Sequence, residues 1–308
     1  MKIVFLDAGT MGGTSLAPIA ALGELVTYDL STREQALERV ADAEVLIVNK
    51  VKVGRTLMDA APRLKLICVA ATGINNIDVN EAAERGIPVR NVAGYSTDSV
   101  AQLVWAQILS LTCEPARYDA AIKSGAYTRS GNPTMVSDPY RELAGKTMGI
   151  VGMGAIGRKV ASIAEAFGMS VIYYSTTGTS HCAEYPSVTL EQLLRSSDVV
   201  SFHCPLNCRT NGLVGRVELS LMKPDAILVN MARGGVVDEQ ALADAVSEGV
   251  ISGAAVDVFT SEPIPLDHPY LHTSRPERLR LTPHIAWAAR ESLDRLVVRI
   301  AENIEKGW

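Results

Sequence analysis

Histidine is sparse in this chain, five residues of 308, and aromatic side chains make up only 5%. Few imidazoles leave little material for a metal cage. His203, Cys204 and Cys208 stand close together, but a tetrahedral zinc site needs a fourth ligand at proper spacing. That stretch reads instead as a strand end with reduced thiols. His268 and His272 are four apart, yet Pro269 interrupts any helix that would align them, so both are expected at the surface. No metal is expected. No uninterrupted apolar stretch reaches the roughly 20 residues that cross a bilayer. The formal net charge is only −5, and no basic run favours nucleic acid. The N-terminus, Met-Lys-Ile-Val-Phe-Leu-Asp, reads as a strand and is too short for a signal sequence. Five cysteines, an odd number without a secretion signal, argue for a reducing, cytoplasmic location.

What the chain does have is apolar material, 47% of its residues, and a length that suggests two domains. Its most informative motif is Val151-Gly-Met-Gly-Ala-Ile-Gly157, a G-x-G-x-x-G after an apolar strand and before a helical pattern. Gly152 allows a tight turn, Gly154 lets backbone approach a pyrophosphate, and Gly157 lets helix and strand pack closely. The helix that follows, near 155–167, offers free N–H groups and a positive dipole end to phosphates. An earlier glycine cluster, Gly9 to Gly13, lacks this spacing and reads as the first βα loop of another domain.

Short apolar runs alternate with helical patterns from the start. Strands are expected over 2–6, 24–28, 45–48, 66–70 and 88–91, with helices near 15–22, 32–41, 55–61 and 79–85. Such alternation means a parallel sheet covered on both faces. A long apolar helix is expected over 98–111, with Trp105 in the core or at a subunit interface, and a Gly/Pro-rich surface loop over 127–141. A second series begins near Lys146. Its strands are expected over 147–151, 170–174, 199–203, 226–230, 253–258 and 278–282, and its helices near 155–167, 190–195, 217–222 and 239–246. This is a doubly wound nucleotide-binding sheet. The last helix, 289–305, lies beyond it and is expected to cross back, which makes the first domain discontinuous. Arg141, Glu142, Glu302 and Glu305 read as solvated charges.

Three polar residues fall just after strands, where open α/β sheets bind ligands. Arg233 stands in Asn-Met-Ala-Arg-Gly-Gly, where two glycines leave room for a carboxylate in a bidentate fork. Glu262 follows in Asp-Val-Phe-Thr-Ser-Glu-Pro, and His284 after Leu281-Thr282-Pro283. A carboxylate beside an imidazole fixes its tautomer and favours the protonated ring. Such a histidine can give a proton to a carbonyl oxygen as hydride reaches the carbon.

These pieces, with His203-Cys-Pro-Leu206, Asn230 to Asp238, Asp257 to Pro263 and Thr282-Pro-His-Ile-Ala-Trp287, resemble the D-isomer-specific 2-hydroxyacid dehydrogenases along nearly the whole chain. The resemblance implies an α/β fold of two Rossmann-like doubly wound parallel-sheet domains. The nucleotide-binding one, 98–284, would be inserted into a flavodoxin-like substrate domain, 1–97 and 285–308. It implies that Arg233 binds the substrate carboxylate, that His284 is the acid/base and that Glu262 is its partner. Lys50, Ala71, Thr72 and Gly73 would be further substrate contacts. Cofactor contacts would come from Gly152, Gly154, Ala155, Ile156, Gly157, Ser175, Thr176, His203, Cys204, Pro205, Thr210, Met231, Ala232, Asp257 and Ala286. Asn49-Lys50 and Tyr95 to Gln102 look most like the glycerate dehydrogenase (hydroxypyruvate reductase) branch. The implied reaction is hydride exchange between NAD(P)H and a small 2-keto acid, hydroxypyruvate first and glyoxylate or another short acid as the alternative. The implied assembly is a homodimer through the nucleotide-binding domain. The same fold also serves dinucleotide-sensing corepressors, a reading that would need long flanking tails.

The chain departs from that pattern at one informative position. The family expectation is an acid at the end of the second strand, holding the ribose 2′-OH of NAD. Here the strand ends Tyr174-Ser175-Thr176-Thr177. Without a carboxylate, nothing repels a 2′-phosphate, so strict NAD selectivity is not expected. No arginine follows closely; Arg158 is the nearest to the phosphate loop. Gln102 stands where many relatives carry Glu.

Overall fold

Runs of Val, Ile and Leu form strands here because both faces of the sheet are covered. Val45–Val48 and Leu66–Val69 are buried at every residue, as a parallel sheet between helical layers requires. A computed structural model describes residues 1–136 and 139–308. The chain forms two compact units, Met1–Ser96 with Trp287–Trp308, and Thr97–Ala286.

The first unit holds β1 (Lys2–Phe5), β2 (Glu24–Thr27), β3 (Val45–Val48), β4 (Leu66–Val69) and β5 (Val89–Arg90). They are parallel, in the order β2-β1-β3-β4-β5, which is the flavodoxin-like order. Helices α1 (Ala17–Ala20), α2 (Arg33–Arg39), α3 (Arg55–Asp59) and α4 (Val79–Glu84) connect them. Thr32 starts α2 with a capping box, its hydroxyl accepting from Gln35 N while Gln35 accepts from Thr32 N. The C-terminal helix, Arg290–Glu305, packs Leu296, Val297, Ile300 and Ile304 against Ile3, Phe5, Ile47 and Leu66.

The second unit starts with α5 (Thr97–Cys113), α6 (Pro115–Lys123) and α7 (Ala126–Ser130). Its sheet contains β6 (Thr147–Val151), β7 (Ser170–Tyr174), β8 (Val199–Phe202), β9 (Ile227–Asn230), β10 (Gly253–Val256) and β11 (Leu279–Leu281). Between them lie α8 (Ala155–Ala166), α9 (Leu190–Ser196), α10 (Arg216–Ser220) and α11 (Glu239–Ser247). The order is β11-β10-β9-β8-β6-β7, all parallel. One parallel bridge, Tyr173 to Ser187, lies outside β7 where a third strand of a mononucleotide half would run. The chain therefore reverses direction across the sheet at β6, between β7 and β8. Ligands of open α/β sheets bind beyond such a switch point. Phe202 is fully buried in this core; truncating a side chain of that kind to alanine costs about 3–5 kcal/mol.

Two expectations need correction. The helix over 15–22 shrinks to α1, four residues with a proline in its first turn. The stretch 127–141 is not all loop. Helix α7 covers its first residues, and α6 precedes it, opened by Pro115 at a position that needs no N–H. Neither helix buries a residue, so neither carries the apolar stripe that reveals a helix in sequence. Ser137 and Asp138, inside the expected loop, lie outside the described residues. The Gly9–Gly13 loop contains a 3-10 turn, Ala8–Met11.

Candidate active site

Because β6, β8, β9, β10 and β11 are parallel neighbours, the residues just past their carboxyl ends line one edge of the sheet. Those residues are Gly152, His203, Arg233, Glu262 and His284.

Gly152 turns with φ +95°, a backbone state closed to most side chains. A Cβ there would also meet Cys204 N at 2.9 Å. Gly157 packs α8 onto the strand; a Cβ on it would lie 2.4 Å from Gly152 O. Gly154 is the N-cap of α8 and has no side-chain cap, and a Cβ on it would meet nothing within 4 Å. The first-turn N–H groups of this 12-residue helix, including those of Ala155 and Ile156, have no partner within the helix, and the space beside Gly154 is open. That cradle fits a pyrophosphate. Gly152 N donates to Tyr174 O at 3.0 Å, which brings the end of β7 beside the glycine turn. There Ser175 donates to Thr179 O at 2.6 Å, next to the half-buried Thr176.

After β8, His203 N donates to Val151 O at 2.8 Å. Its Nε2 meets Ser201 Oγ at 2.9 Å, and its buried Nδ1 has no hydrogen-bond partner among the described residues. Burial pushes its pKa down to about 3, so the ring is neutral. Burial pushes the Cys204 thiol up to about 11, so it is an inert apolar contact. Thr210, fully buried, donates to Pro205 O at 2.6 Å and accepts from Asn207 N, which ties the loop together.

After β9, Asn230 straps the turn that carries Arg233. Its side chain accepts from Ala232 N and donates to Arg233 O at 3.0 Å. Met231 and Ala232 are buried, and Arg233 is half-buried, with Nη1 donating to Ala232 O at 2.7 Å. A Cβ on Gly234 would overlap Phe259 C at 2.0 Å, so only glycine lets this turn pack against the loop that follows β10.

Two carboxylates place the histidine. Asp257, fully buried, accepts from Thr282 Oγ1 at 2.5 Å, Ile285 N at 2.9 Å and Ala286 N at 2.8 Å. Burial raises its pKa while these hydrogen bonds oppose the rise. They hold the 282–286 turn, in which His284 has φ +54°. A non-glycine residue in that region costs on the order of 1–3 kcal/mol and persists only where its surroundings enforce it. Glu262 is the second carboxylate. Its Oε1 accepts from Phe259 N at 3.0 Å and its Oε2 meets His284 Nδ1 at 2.6 Å. A carboxylate can only accept, so Nδ1 carries the hydrogen of this contact, which fixes the orientation of the ring.

His268 is not a surface residue. It is 5% exposed, with Nε2 3.0 Å from Glu239 Oε2 and Nδ1 accepting from Tyr270 N. Glu239 also accepts from Thr260 N at 2.7 Å. This pair, absent from the sequence reading, supports the loop that carries Glu262. Pro269 excludes an α-helix there but starts a 3-10 turn with His268 as its N-cap. His272 is exposed. Trp105 is buried, with its indole N–H donating to Val160 O.

In the first unit, Lys50 and the Ala71-Thr72-Gly73 turn follow the carboxyl ends of β3 and β4. Asp7 accepts from Asn49 N, Lys50 N and Val51 N, and Thr72 Oγ1 donates to Val92 O at 3.1 Å. In the second unit a cleft of about 460 Å³ opens at the amino ends of the strands, opposite the carboxyl ends that carry Gly152, Arg233 and His284. Two of its arginines are held in ion pairs, Arg141 with Asp225 and Arg278 with Glu114. Among the described residues, no helix is long and apolar enough to cross a membrane, and no three His, Cys, Asp or Glu side chains form a metal cage.

Comparison with known proteins agrees with this geometry. Residues 105–286 match the D-isomer specific 2-hydroxyacid dehydrogenase NAD-binding domain. The chain is 35% identical to a hydroxypyruvate reductase of Blautia hydrogenotrophica, over 99% of this chain and 96% of that protein. It is 40% identical to a glyoxylate reductase of Thermococcus litoralis, over 87% and 81% respectively. Among solved structures, an acyclic imino acid reductase in complex with NADPH and D-Arg superposes with a TM-score of 0.86 at 29% identity, covering 99% of this chain and 96% of that one. On these grounds the chain belongs to the D-isomer-specific 2-hydroxyacid dehydrogenases, NAD(P)-dependent oxidoreductases.

Proposed function

We propose that this protein reduces hydroxypyruvate to D-glycerate, reversibly, with His284 as acid/base, Glu262 as its partner and Arg233 as the carboxylate anchor. The observation that carries the reading is the 2.6 Å His284–Glu262 contact, held past β11 and β10 and next to the β9 turn bearing Arg233. Glu262 orients the ring, so Nε2 can hand a proton to the carbonyl oxygen of a keto acid. Arg233 offers a planar fork to a carboxylate and a positive charge to the carbonyl. The nicotinamide, when bound, supplies or takes the hydride. The chain's own work is to orient the substrate and manage one proton.

Residues Gly152 to Gly157, Ser175, Thr176, His203 to Pro205, Met231 and Ala232 are proposed to hold the dinucleotide. Thr210, Asp257 and Ala286 shape its surroundings. Lys50, Ala71, Thr72 and Gly73 are proposed as further substrate contacts. The similarity to a hydroxypyruvate reductase along nearly both full lengths supports the substrate. We propose a cytoplasmic homodimer without nucleic-acid partners. Helix α6, with no buried residue and Ile122 61% exposed, supports an interface on the nucleotide-binding unit, and the net charge of −5 fits the absence of a polyanion partner.

Initial rates for a panel of 2-keto acids with NADH and NADPH test the reading. Hydroxypyruvate is expected to give the highest kcat/KM. A higher value for glyoxylate reassigns the substrate, and no turnover of any 2-keto acid removes the enzymatic reading.

A further inference from the structure

The loop after β7 is touched by a cationic group that sequence spacing does not reveal. Arg209 lies 32 positions beyond Thr177, in the loop after β8, and its Nη1 donates to Thr177 O at 3.0 Å. That loop begins at Ser175, where β7 meets the glycine turn, so it is where the adenosine ribose of a bound dinucleotide falls. Ser175 offers no carboxylate to accept from a 2′-OH or to repel a 2′-phosphate. Thr177 adds a hydroxyl 2.9 Å from His181 Nε2.

Two arginines flank this loop, and they differ. Arg158, in the first turns of α8, is paired with Glu184 at 2.6 Å and donates to His181 O. Its charge is compensated. Arg209 has no ion-pair partner within 4 Å among the described residues. A guanidinium has five N–H donors, and the Thr177 carbonyl engages one. The others remain for a phosphate, whose geometry the planar fork matches.

We propose that Arg209 is the specificity-determining residue that recognises the 2′-phosphate and makes NADPH the preferred cofactor over NADH. The inference rests on the reading that the start of α8 holds a dinucleotide. It goes further by assigning the choice between the two cofactors to one side chain brought in from another loop.

The test is calorimetric titration of the full-length protein with two probes, adenosine 2′,5′-bisphosphate and 5′-AMP. Wild type is expected to bind the bisphosphate at least about tenfold more tightly, as a charge-assisted fork on an exposed phosphate would give. Arg209→Ala is expected to bring the two affinities within about threefold, and Arg209→Lys to fall between, since it keeps the charge and loses the fork. Arg158→Ala is expected to keep most of the preference. Raising ionic strength is expected to shrink it. Arg209 is exposed, so unchanged melting temperatures verify that the variants are folded. Equal binding of both probes by wild type, or a preference that survives in Arg209→Ala, overturns the inference and leaves the dinucleotide site intact. Failure of both probes to bind overturns the inference together with the site.

Discussion

The second unit holds two pairs of histidine and glutamate, and they are built for different ends. His268 and Glu239 are 5% and 17% exposed and 3.0 Å apart. Both ring nitrogens of His268 are engaged, and Phe259 and Tyr270 pack against the ring. His284 and Glu262 are 20% and 30% exposed and 2.6 Å apart. There the backbone is in the left-handed region and the carboxylate holds Nδ1. The same two residue types thus make a buried brace in one place and, in the other, the more open pair for which the acid/base role is proposed. Burial and backbone strain, not the pairing, distinguish them.

Mutating both histidines separates the roles. His284→Ala is expected to lower kcat for keto-acid reduction by roughly 10²–10⁴, the worth of a positioned acid/base, with the melting temperature little changed. Stopped-flow or steady-state rates beside a thermal melt report both quantities. His268→Ala is expected to do the reverse. It leaves Tyr270 N and a Glu239 oxygen without their partner, costing about 2–4 kcal/mol of stability in denaturant titration. Its kcat at low temperature is expected to drop by less than about tenfold. Comparable losses of turnover in the two variants would erase the distinction.

Arg233 sharpens the comparison, because the bracing pair has no equivalent of it. Arg233→Lys keeps the charge and loses the fork, and kcat/KM is expected to fall by roughly 10- to 100-fold. Near-wild-type kinetics would place the carboxylate elsewhere.

A third imidazole supplies the case without any carboxylate. His203 is neutral in the fold, its pKa lowered by burial from 6.5 to about 3. Its unfolded form binds a proton at higher pH than its folded form. Stability from this group is therefore complete above about pH 6.5 and is lost as pH falls toward 3. At about pH 5.5 the loss is about 1.4 kcal/mol. Denaturant titrations of wild type and His203→Gln between pH 7.5 and 5 are expected to show a flatter pH dependence in the variant. Identical slopes would mean that His203 gains its proton equally in both states.

Much of this was readable from residues alone. Val45–Val48 and Leu66–Val69 announce themselves as strands because both faces are buried and the apolar run is continuous. Arg233, Glu262 and His284 stand out as candidates because each lies in a loop that follows a strand, and a parallel sheet brings those loops to one edge. Helices α6 and α7 were not, because a helix exposed on all sides has no apolar period. The burial of His268 is not legible, because the proline after it bears only on helix type and says nothing of exposure. Arg209 was invisible because its partner carbonyl is 32 residues away and only the sheet brings the two loops together.

The central claim is that the edge formed by β9, β10 and β11 reduces a 2-keto acid to one enantiomer of the hydroxy acid. The most direct measurement incubates the purified protein with hydroxypyruvate and NADPH, or NADH, and resolves the glycerate formed by chiral chromatography. The account predicts cofactor oxidation matched mole for mole by D-glycerate. L-glycerate, or no oxidation of either cofactor, would contradict it.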